Sequence, residues 1–415
     1  MAQLSDDCFA FGGKLMPIED AIAMIVARVT PLGRHESVSI TDADGRIIAQ
    51  DFLAPISLPP FTNSAVDGYA VRHSDLAESD TILPVGARIE AGAHTGAHDV
   101  QTAARIFTGA LMPSGADTVF MQEDVRVEGD KVILPQGLKR GANVRPAGED
   151  IEQGAVALGQ GKRLLPQDIA LAAALGATQL LVAQRARVAV FSTGNELVSP
   201  GDPQTPPQIF DSNRFMLLAL LRRLGCNAHD LGILRDERDG LARALKDAAC
   251  QFDLIVTTGG VSTGEADHVK AAVESVGSLV FWRMAIKPGR PVAMGVIEGT
   301  PFVGLPGNPV ASYVTQAYVV RPLTLALMGA RWTPAPLLQV RSAFSYKKKS
   351  GRREFVRVSL GLGQDGAVEA LKFPREGAGL LTSLTQTQGL VVLGEDITQV
   401  EPGESVGFMD YATLM

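Results

Sequence analysis

Apolar residues recur at two different periods along this chain. Between residues 17 and 29 they fall at helical spacing with acidic residues in the first turn, which predicts a helix. From 38 to about 150, short runs rich in Val, Ile and Ala alternate with Gly, Pro and Asp turns, which is typical of a small β-rich module. Residues 166–175 return to helical spacing, and Gly176 follows them as a residue suited to ending a helix.

Strand and helix patterns alternate from about 183 to 330. The pattern predicts strands at 186–194, 252–260, 292–297 and 300–307, and helices at 212–224, 238–250 and 264–277 and from about Asn308 onward. Ser212 is expected to cap the helix over 212–224, and Gly225 lies beyond its end. This alternation predicts a parallel sheet with helices on its faces.

These changes of pattern divide the chain into four predicted domains of an α/β multidomain protein. A helical domain is expected from residues 1–53 and 155–182, and a β-rich domain from 54–154. An α/β domain follows over 183–333, and a β domain over 334–415.

Composition narrows the class of protein. The 415 residues are 46% hydrophobic and 20% charged, which excludes a disordered chain, and the net charge of −7 argues against a general nucleic-acid binder. Cys8, Cys226 and Cys250 lie far apart without a CxxC pattern, which argues against structural zinc. The N-terminus does not resemble a signal peptide, and no long apolar run predicts a membrane span. We therefore expect a cytoplasmic protein with neither nucleic-acid nor membrane partners.

A glycine-rich segment directly follows the predicted strand 252–260. Gly259 and Gly260 would let backbone N–H groups approach a phosphate, and Ser262 would add a hydroxyl. Acidic residues, Asp267 among them, follow at once, and carboxylates beside a phosphate require a metal, so we infer Mg²⁺. The alternative is a simple glycine-rich turn with Asp267 as a helix cap.

Three cations lie close together around a Pro-Gly turn. Arg283, Lys287 and Arg290 fall within eight residues, and Pro288 and Pro291 restrict the backbone between them. Such a cluster in an acidic protein suits a multiply charged anion, although a basic surface turn would look the same.

Acidic residues also follow several predicted strands or lie in Pro- and Gly-rich loops. They are Asp67 in the loop 59–71, Asp150 in 143–151, Glu196 in 192–198 and Asp236 near 230–240. Each alone is more often solvated or a cap than catalytic. Several on one sheet edge favour a metal-assisted phosphate site.

Eight motifs occur in an order that resembles one family. They are PPFTNSAVDGYAV, IFTGALMPSGADTVFMQED, NVRPAGEDI, STGNELV, DSN, TTGGVSTGEADHV, KPGRP and GLPGNP. Together they resemble the molybdopterin molybdenumtransferases of molybdenum cofactor biosynthesis, a family that includes the gephyrin E domain. The resemblance covers about residues 15–410.

The resemblance implies a homodimer with four domains per protomer. The central domain would be of the molybdenum-cofactor-biosynthesis (MogA-like) α/β type, joined by a β-rich lower domain and a C-terminal β-barrel-like domain. The reaction would join adenylylated molybdopterin and molybdate to give molybdenum cofactor and AMP, with Mg²⁺. Molybdopterin adenylyltransferase and apo-molybdoenzymes are the implied protein partners.

The resemblance also implies roles for individual residues. The acidic functional positions would be Asp67, Asp150, Glu196, Asp236 and Asp267, with Asp236 and Asp267 also expected at the metal. Substrate contacts would come from Thr108, Pro306 and Pro309, in addition to Gly259, Gly260 and Ser262. The molybdate pocket would hold Lys287, Ser383 and Arg352 or its neighbour Arg353, with Ala378 at a position where serine is frequent.

Three other functions remain open at this point. Adenylyl transfer from ATP to molybdopterin uses a similar α/β domain, but the β-rich flanks and the Asp67 loop favour insertion of the metal. A scaffold protein that kept the fold is a second alternative, which the full set of carboxylates disfavours. A tungstate-specific relative is the third.

Overall fold

The computed structural model describes residues 15–235, 238–260 and 268–414. In the first half of the chain the elements are β1 (Leu15–Met16), α1 (Ile18–Arg28), β2 (His35–Ser39), β3 (Phe52–Leu53), β4 (Asn63–Ser64), β5 (Gly68–Val71), β6 (Thr81–Ile89), β7 (Ala103–Ile106), β8 (Thr118–Met121), β9 (Arg126–Glu128), β10 (Lys131–Leu134), β11 (Val144–Arg145), β12 (Val156–Leu158), α2 (Pro166–Ala174) and β13 (Gln179–Ala183).

The second half contains β14 (Arg187–Thr193), β15 (Leu197–Val198), β16 (Ile209–Phe210), α3 (Asn213–Arg223), β17 (Asn227–Leu234), α4 (Arg238–Gln251), β18 (Leu254–Thr258), α5 (His268–Val276), β19 (Gly277–Met284), β20 (Ile286–Lys287), β21 (Pro291–Ile297), β22 (Thr300–Leu305), α6 (Pro309–Thr315), a π-helical turn (Gln316–Val320), α7 (Arg321–Leu327), β23 (Leu338–Ser342), β24 (Tyr346–Lys347), β25 (Arg353–Leu362), β26 (Val368–Lys372), α8 (Thr382–Thr385), β27 (Gly389–Leu393), β28 (Gln399–Val400) and β29 (Ser405–Asp410).

The predicted helix over 17–29 is confirmed as α1. Its buried residues Ile18, Ala21 and Ile25 recur at helical spacing and join the core cluster that α7 also lines. Just before it, β1 pairs in parallel with β19, so the described chain starts at the edge of the α/β sheet. The antiparallel pairs β2–β13 and β3–β12 then bring residues 35–53 and 156–183 together.

The β-rich module is confirmed between these two segments. Its main sheet has the order β8-β5-β7-β6-β10-β9, and apolar clusters cover both faces. Gly68 at the start of β5 has to be glycine, because a Cβ there would lie 1.8 Å from the carbonyl oxygen of Phe120 on the neighbouring strand.

The sheet of the α/β domain is mixed, so the prediction of a parallel sheet was wrong for part of it. In the described chain the order is β1-β19-β21-β22-β18-β14-β17, and β21 runs antiparallel to both β19 and β22. The reason is the length of the connections. Only Glu298 and Gly299, both with positive φ, separate β21 from β22, and a parallel pair would need a crossover of a dozen or more residues.

The parallel part of the sheet is buried on both faces. Along β14, Val188 and Val190 contribute to one apolar cluster, whereas Ala189 and Phe191 contribute to another with α4 and α5. This two-sided burial accounts for the continuous apolar run of this strand.

The C-terminal domain contains a closed barrel, as the family resemblance implied. The strands follow the order β25-β26-β23-β29-β27, and β25 pairs with both β26 and β27, which closes the circle. Short β20 of the α/β domain adds in parallel to β25, with Lys287 opposite Glu354. In the part of the chain that the structure describes, no helix combines the length and apolar character needed to cross a membrane.

Arg214 fixes the segment that leads from β16 into α3. It is 4% exposed, and its Nε donates to Asp211 Oδ2 at 2.8 Å. Its other nitrogens donate to Asp230 on β17 and, at 3.4 Å, to Ser199 Oγ. Burial alone would lower the pKa of Arg214, but the two carboxylates raise it above its ordinary value. Ser212 occupies the predicted N-cap position of α3 but makes no side-chain capping bond.

We expect Arg214→Ala to lower the free energy of unfolding by about 3–5 kcal/mol, because Asp211, 2% exposed, would remain buried without its partner. Urea unfolding measures this loss. Arg88→Ala is the control, since Arg88 and its partner Glu90 are both exposed, and it should cost less than about 1 kcal/mol. Equal losses in the two variants would contradict the role given to Arg214.

Candidate active site

A cleft of about 560 Å³ opens where β14 and β18 end. This is the carboxyl edge of the parallel strands, where open α/β sheets bind ligands. Its lining comes from the ends of those strands, from β15 and β16, from the start of α6 and from a loop of the C-terminal domain: Thr193, Glu196, Leu197, Ile209, Phe210, Asp211, Ser212, Asn213, Thr258, Gly259, Gly307, Asn308, Pro309, Gly379 and Leu381.

The floor of this cleft requires glycine at the position after β18. Gly259 has φ +86°, and a Cβ there would lie 2.4 Å from the carbonyl oxygen of Thr193. Gly260 has φ +64°, and its Cβ would lie 2.4 Å from Thr193 Oγ1. At Gly259 backbone therefore approaches backbone, and the main chain of this residue forms part of the cleft surface.

Buried polar atoms without partners face the strand ends. Thr193 Oγ1 and Asn213 Oδ1 accept no hydrogen bond from the described residues, although these two residues are only 2% and 7% exposed. The Asn213 amide nitrogen donates to Thr258 Oγ1 at 2.9 Å and to the Gly307 carbonyl at 2.7 Å, so the amide oxygen must be the free atom. Orphaned buried groups of this kind indicate a missing ligand or water.

Three further predicted residues lie at this edge. Glu196 is exposed, and its carboxylate folds over Gly194, where a Cβ would lie 2.6 Å from Oε2. Pro309 is the first residue of α6 and lines the cleft. Pro306 is buried beneath it, and its carbonyl accepts from Thr258 Oγ1 at 3.3 Å.

A second, smaller cavity of about 120 Å³ lies between β20 and the barrel. Four cationic side chains are among its lining residues, which are Lys287, Pro288, Tyr346, Phe355, Val356, Arg357, Lys372, Phe373, Arg375, Glu376, Gly377 and Ala378. Of the three cations around the Pro-Gly turn, Lys287 lines this cavity, whereas Arg283 and Arg290 are exposed and do not line it. The three side chains therefore do not share this cavity: Arg283 lies on β19, and Arg290 lies in the turn between β20 and β21.

The buried carboxylate of Glu354 organises one side of this cavity. Glu354 is 1% exposed, and it accepts from Tyr346 OH at 2.7 Å and from Arg352 Nε at 2.8 Å, with Lys287 Nζ 3.3 Å away. Burial alone would raise the pKa of Glu354, but these partners outweigh burial and hold the pKa below its usual range. The carboxylate therefore stays ionised and holds Lys287 at the rim.

The arginines that line the cavity are Arg357 and Arg375, whereas the sequence pointed to Arg352 or Arg353. Arg352 is bound by Glu354, and Arg353 pairs with Glu19 and Glu395. The Nε of Arg357 donates to Ser383 Oγ at 3.2 Å. Burial lowers the pKa of Arg357.

Ser383 therefore contacts the arginine and does not line the cavity. It is 0% exposed, and its hydroxyl also donates to the Leu380 carbonyl at 2.6 Å. Its geometry is that of a side chain that orients Arg357.

A five-residue loop separates the two cavities. Gly377 and Ala378 line the basic cavity, and Gly379 and Leu381 line the strand-end cleft. The Ala378 carbonyl accepts from the backbone N–H of Val310 in the first turn of α6 at 3.0 Å, which ties the loop to the α/β domain. The two cavities thus share one wall, residues 377–381.

The β-rich module brings its own predicted residues together. Asp67 Oδ1 accepts from the backbone N–H of Thr108 at 2.8 Å and from its hydroxyl at 2.7 Å. These two bonds hold the pKa of the Asp67 carboxyl below its usual range. The loop carrying Asp150 is adjacent in the fold, since β11 pairs with β4 and the Asp150 N–H donates to the Leu58 carbonyl at 3.0 Å. None of the described residues of 54–154 lines either cavity.

Three predicted residues, Ser262, Asp236 and Asp267, lie outside the described residues. Over residues 15–235, 238–260 and 268–414, no three His, Cys, Asp or Glu side chains meet in an arrangement that could hold a metal ion. The metal site predicted from Asp236 and Asp267 therefore stays a prediction.

Comparison with known proteins agrees with this architecture. Residues 16–176 match the MoeA N-terminal region (domain I and II), residues 189–326 match a probable molybdopterin binding domain, and residues 339–411 match the MoeA C-terminal region (domain IV). The chain is 39% identical to a molybdopterin molybdenumtransferase of Haemophilus influenzae over 97% of this chain and 100% of that protein. It is 36% identical to molybdopterin molybdenumtransferase 2 of Mycobacterium tuberculosis over 93% of this chain and 97% of that protein.

A solved structure supports the same assignment. The crystal structure of the molybdopterin biosynthesis moeA protein from Pyrococcus horikoshii OT3 superimposes with a TM-score of 0.81 at 28% identity, covering 96% of this chain and 100% of that one. Fold and cleft thus define a multidomain protein of the molybdopterin-binding α/β class. The chain belongs to the molybdopterin molybdenumtransferase family, and it is a transferase of molybdenum cofactor biosynthesis. The resemblance, fold class and enzyme class predicted from the sequence are confirmed.

We expect Thr108→Val to raise the pKa of Asp67, because the variant loses the hydroxyl donor and keeps only the backbone N–H. A ¹³C-carboxyl NMR titration of Asp67, assigned with Asp67→Asn, measures the shift. Thr108→Ser retains the hydroxyl and should titrate as the wild type does. An unchanged midpoint in Thr108→Val would show that the hydroxyl does not stabilise the carboxylate.

Proposed function

We propose that this enzyme joins adenylylated molybdopterin and molybdate to give molybdenum cofactor and AMP. The observation that carries the proposal is the shared wall, residues 377–381, between the strand-end cleft and the basic cavity. This reaction transfers the metal of an oxyanion to a pterin that carries phosphate. It therefore needs a site for the oxyanion next to a site for the pterin.

The strand-end cleft suits the adenylylated pterin. Its floor includes the main chain of Gly259, whose N–H donates to the Leu305 carbonyl at 3.1 Å. Thr193 Oγ1 makes no hydrogen bond within the described residues and can donate to a phosphoanhydride. The cleft of about 560 Å³ is large enough for a small organic ligand.

The basic cavity suits molybdate. Lys287, Arg357, Lys372 and Arg375 line it, and a tetrahedral dianion binds through charge-assisted hydrogen bonds from such cations. Lys372 is paired with Glu376 at 2.7 Å, and Glu354 lies behind Lys287, so the excess positive charge centres on Arg357 and Arg375.

Mg²⁺ is the cofactor we propose, to neutralise charge on the anhydride. Mg²⁺ prefers carboxylate and other oxygen ligands. The described residues do not form a magnesium site by themselves. The proposal therefore depends on Asp236 and Asp267.

The direct test incubates the purified protein with adenylylated molybdopterin and molybdate. We expect AMP release that requires molybdate, together with activation of an added apo-molybdoenzyme. EDTA should stop both, and Mg²⁺ should restore both. AMP release at the same rate without molybdate would point to a hydrolase, and would refute the proposed reaction.

We expect Arg357→Ala to raise the molybdate concentration for half-maximal turnover by about ten- to a hundred-fold, the equivalent of one charge-assisted hydrogen bond. Steady-state kinetics at varied molybdate measure this. Arg352→Ala is the matched control, since Arg352 bonds to Glu354 and does not line the cavity, and it should have a smaller effect. A larger effect of Arg352→Ala than of Arg357→Ala would instead assign the contact with molybdate to Arg352.

We also propose that the active enzyme is a homodimer whose sites combine two protomers. Within one chain, none of the described residues of the β-rich module, Asp67 and Thr108 included, lines either cavity. A second protomer would supply that module to the site.

Mixing Asp67→Ala with Lys287→Ala protein should restore part of the turnover at low molybdate, because a mixed dimer contains one site with neither change. Each variant mixed with itself serves as the control. If subunit exchange is demonstrated by mass and turnover stays absent, each site is built from a single chain.

A further inference from the structure

The strand-end cleft has an apolar surface that neither phosphate nor metal chemistry explains. Phe210 is 45% exposed and Ile209 is 54% exposed, and both line the cleft from β16. Leu381, 37% exposed, lines it from the shared wall. An aromatic ring held open to a cleft offers a flat face for a planar ligand.

The position of Phe210 is fixed from both sides. The short parallel pair β15–β16 places Val198 opposite Phe210. The next residue, Asp211, is 2% exposed, and its carboxylate is bound by Arg214. The backbone at Phe210 is thus held before any ligand arrives, which lowers the entropic cost of stacking.

The polar atoms beside Phe210 accept hydrogen bonds. Asn213 Oδ1 is buried and makes no hydrogen bond within the described residues, and the two bonds of its amide nitrogen set its orientation. The Glu196 carboxylate lines the same cleft. Acceptors of this kind repel a phosphate and attract ring N–H and amino groups.

We propose that Phe210 is the stacking face for a planar, amino-bearing heterocycle of the substrate, and that Asn213 Oδ1 and Glu196 accept from that ring's N–H groups. This inference rests on the proposed function, because adenylylated molybdopterin carries two rings of this chemistry, adenine and pterin. Both rings can stack on Phe210 and donate hydrogen bonds to the acceptors beside it.

Calorimetric titration of the purified protein with AMP and, separately, with molybdopterin tests the proposal. Phe210→Ala should weaken one of the two ligands by about 5- to 150-fold, the range for stacking of one base on an aromatic side chain. Phe210→Tyr keeps the ring and should bind as the wild type does. Phe215→Ala is the control, since Phe215 is 46% exposed and does not line the cleft. Thermal unfolding checks that each variant is folded.

The outcomes distinguish adenine from pterin, and they distinguish this inference from the proposed function. Loss of AMP binding alone assigns the face to adenine, and loss of molybdopterin binding alone assigns it to the pterin. If both ligands bind Phe210→Ala as tightly as they bind wild type, the stacking face is wrong while the proposed function stands. If the wild type binds neither ligand, both proposals fail.

Discussion

The pairing of β20 with β25 is the constraint on which both cavities depend. Two residues of the α/β domain, Ile286 and Lys287, add to the edge of the barrel, and the Arg353 N–H donates to the Ala285 carbonyl at 2.7 Å. The same contact sets Lys287 against the buried Glu354. A second backbone link, from Val310 to Ala378, brings the barrel loop to the strand-end cleft. Two short main-chain contacts thus place residues that are far apart in sequence within one site.

Much of the fold follows from local pattern. The sequence shows an apolar period for the helix over 17–29 and for the strand–helix alternation, and it shows typical turn residues for the β-rich module. The structure contains all three features. The direction of β21 is different in kind. It depends on the two-residue connection of Glu298 and Gly299, which is too short to join two adjacent parallel strands. Apolar periodicity does not indicate the direction of a strand.

Site residues that belong to a sequence motif could be predicted. Residues whose place in the site depends on their tertiary partners were missed. Lys287 lies in KPGRP and does line the basic cavity. Arg352, Arg353 and Arg357 lie close together in sequence. Arg352 and Arg353 form ion pairs with Glu354 and Glu19, whereas Arg357 bonds to Ser383 and lines the cavity. This difference depends on tertiary contacts that the sequence does not display. A signal existed for Arg357, a charged residue between the apolar Val356 and Val358 of β25. Phe210 gave no such signal, because its exposure depends on the separate β15–β16 pair.

The loop 377–381 has a thermodynamic consequence because it belongs to two cavities at once. Any displacement of this wall by a ligand in the basic cavity changes the free energy of ligands in the strand-end cleft. Equilibrium linkage then requires reciprocity: the factor by which a ligand in the basic cavity changes affinity in the strand-end cleft equals the factor by which a ligand in the cleft changes affinity in the basic cavity. The order in which two such ligands bind alters the route to the ternary complex but leaves its total stability the same.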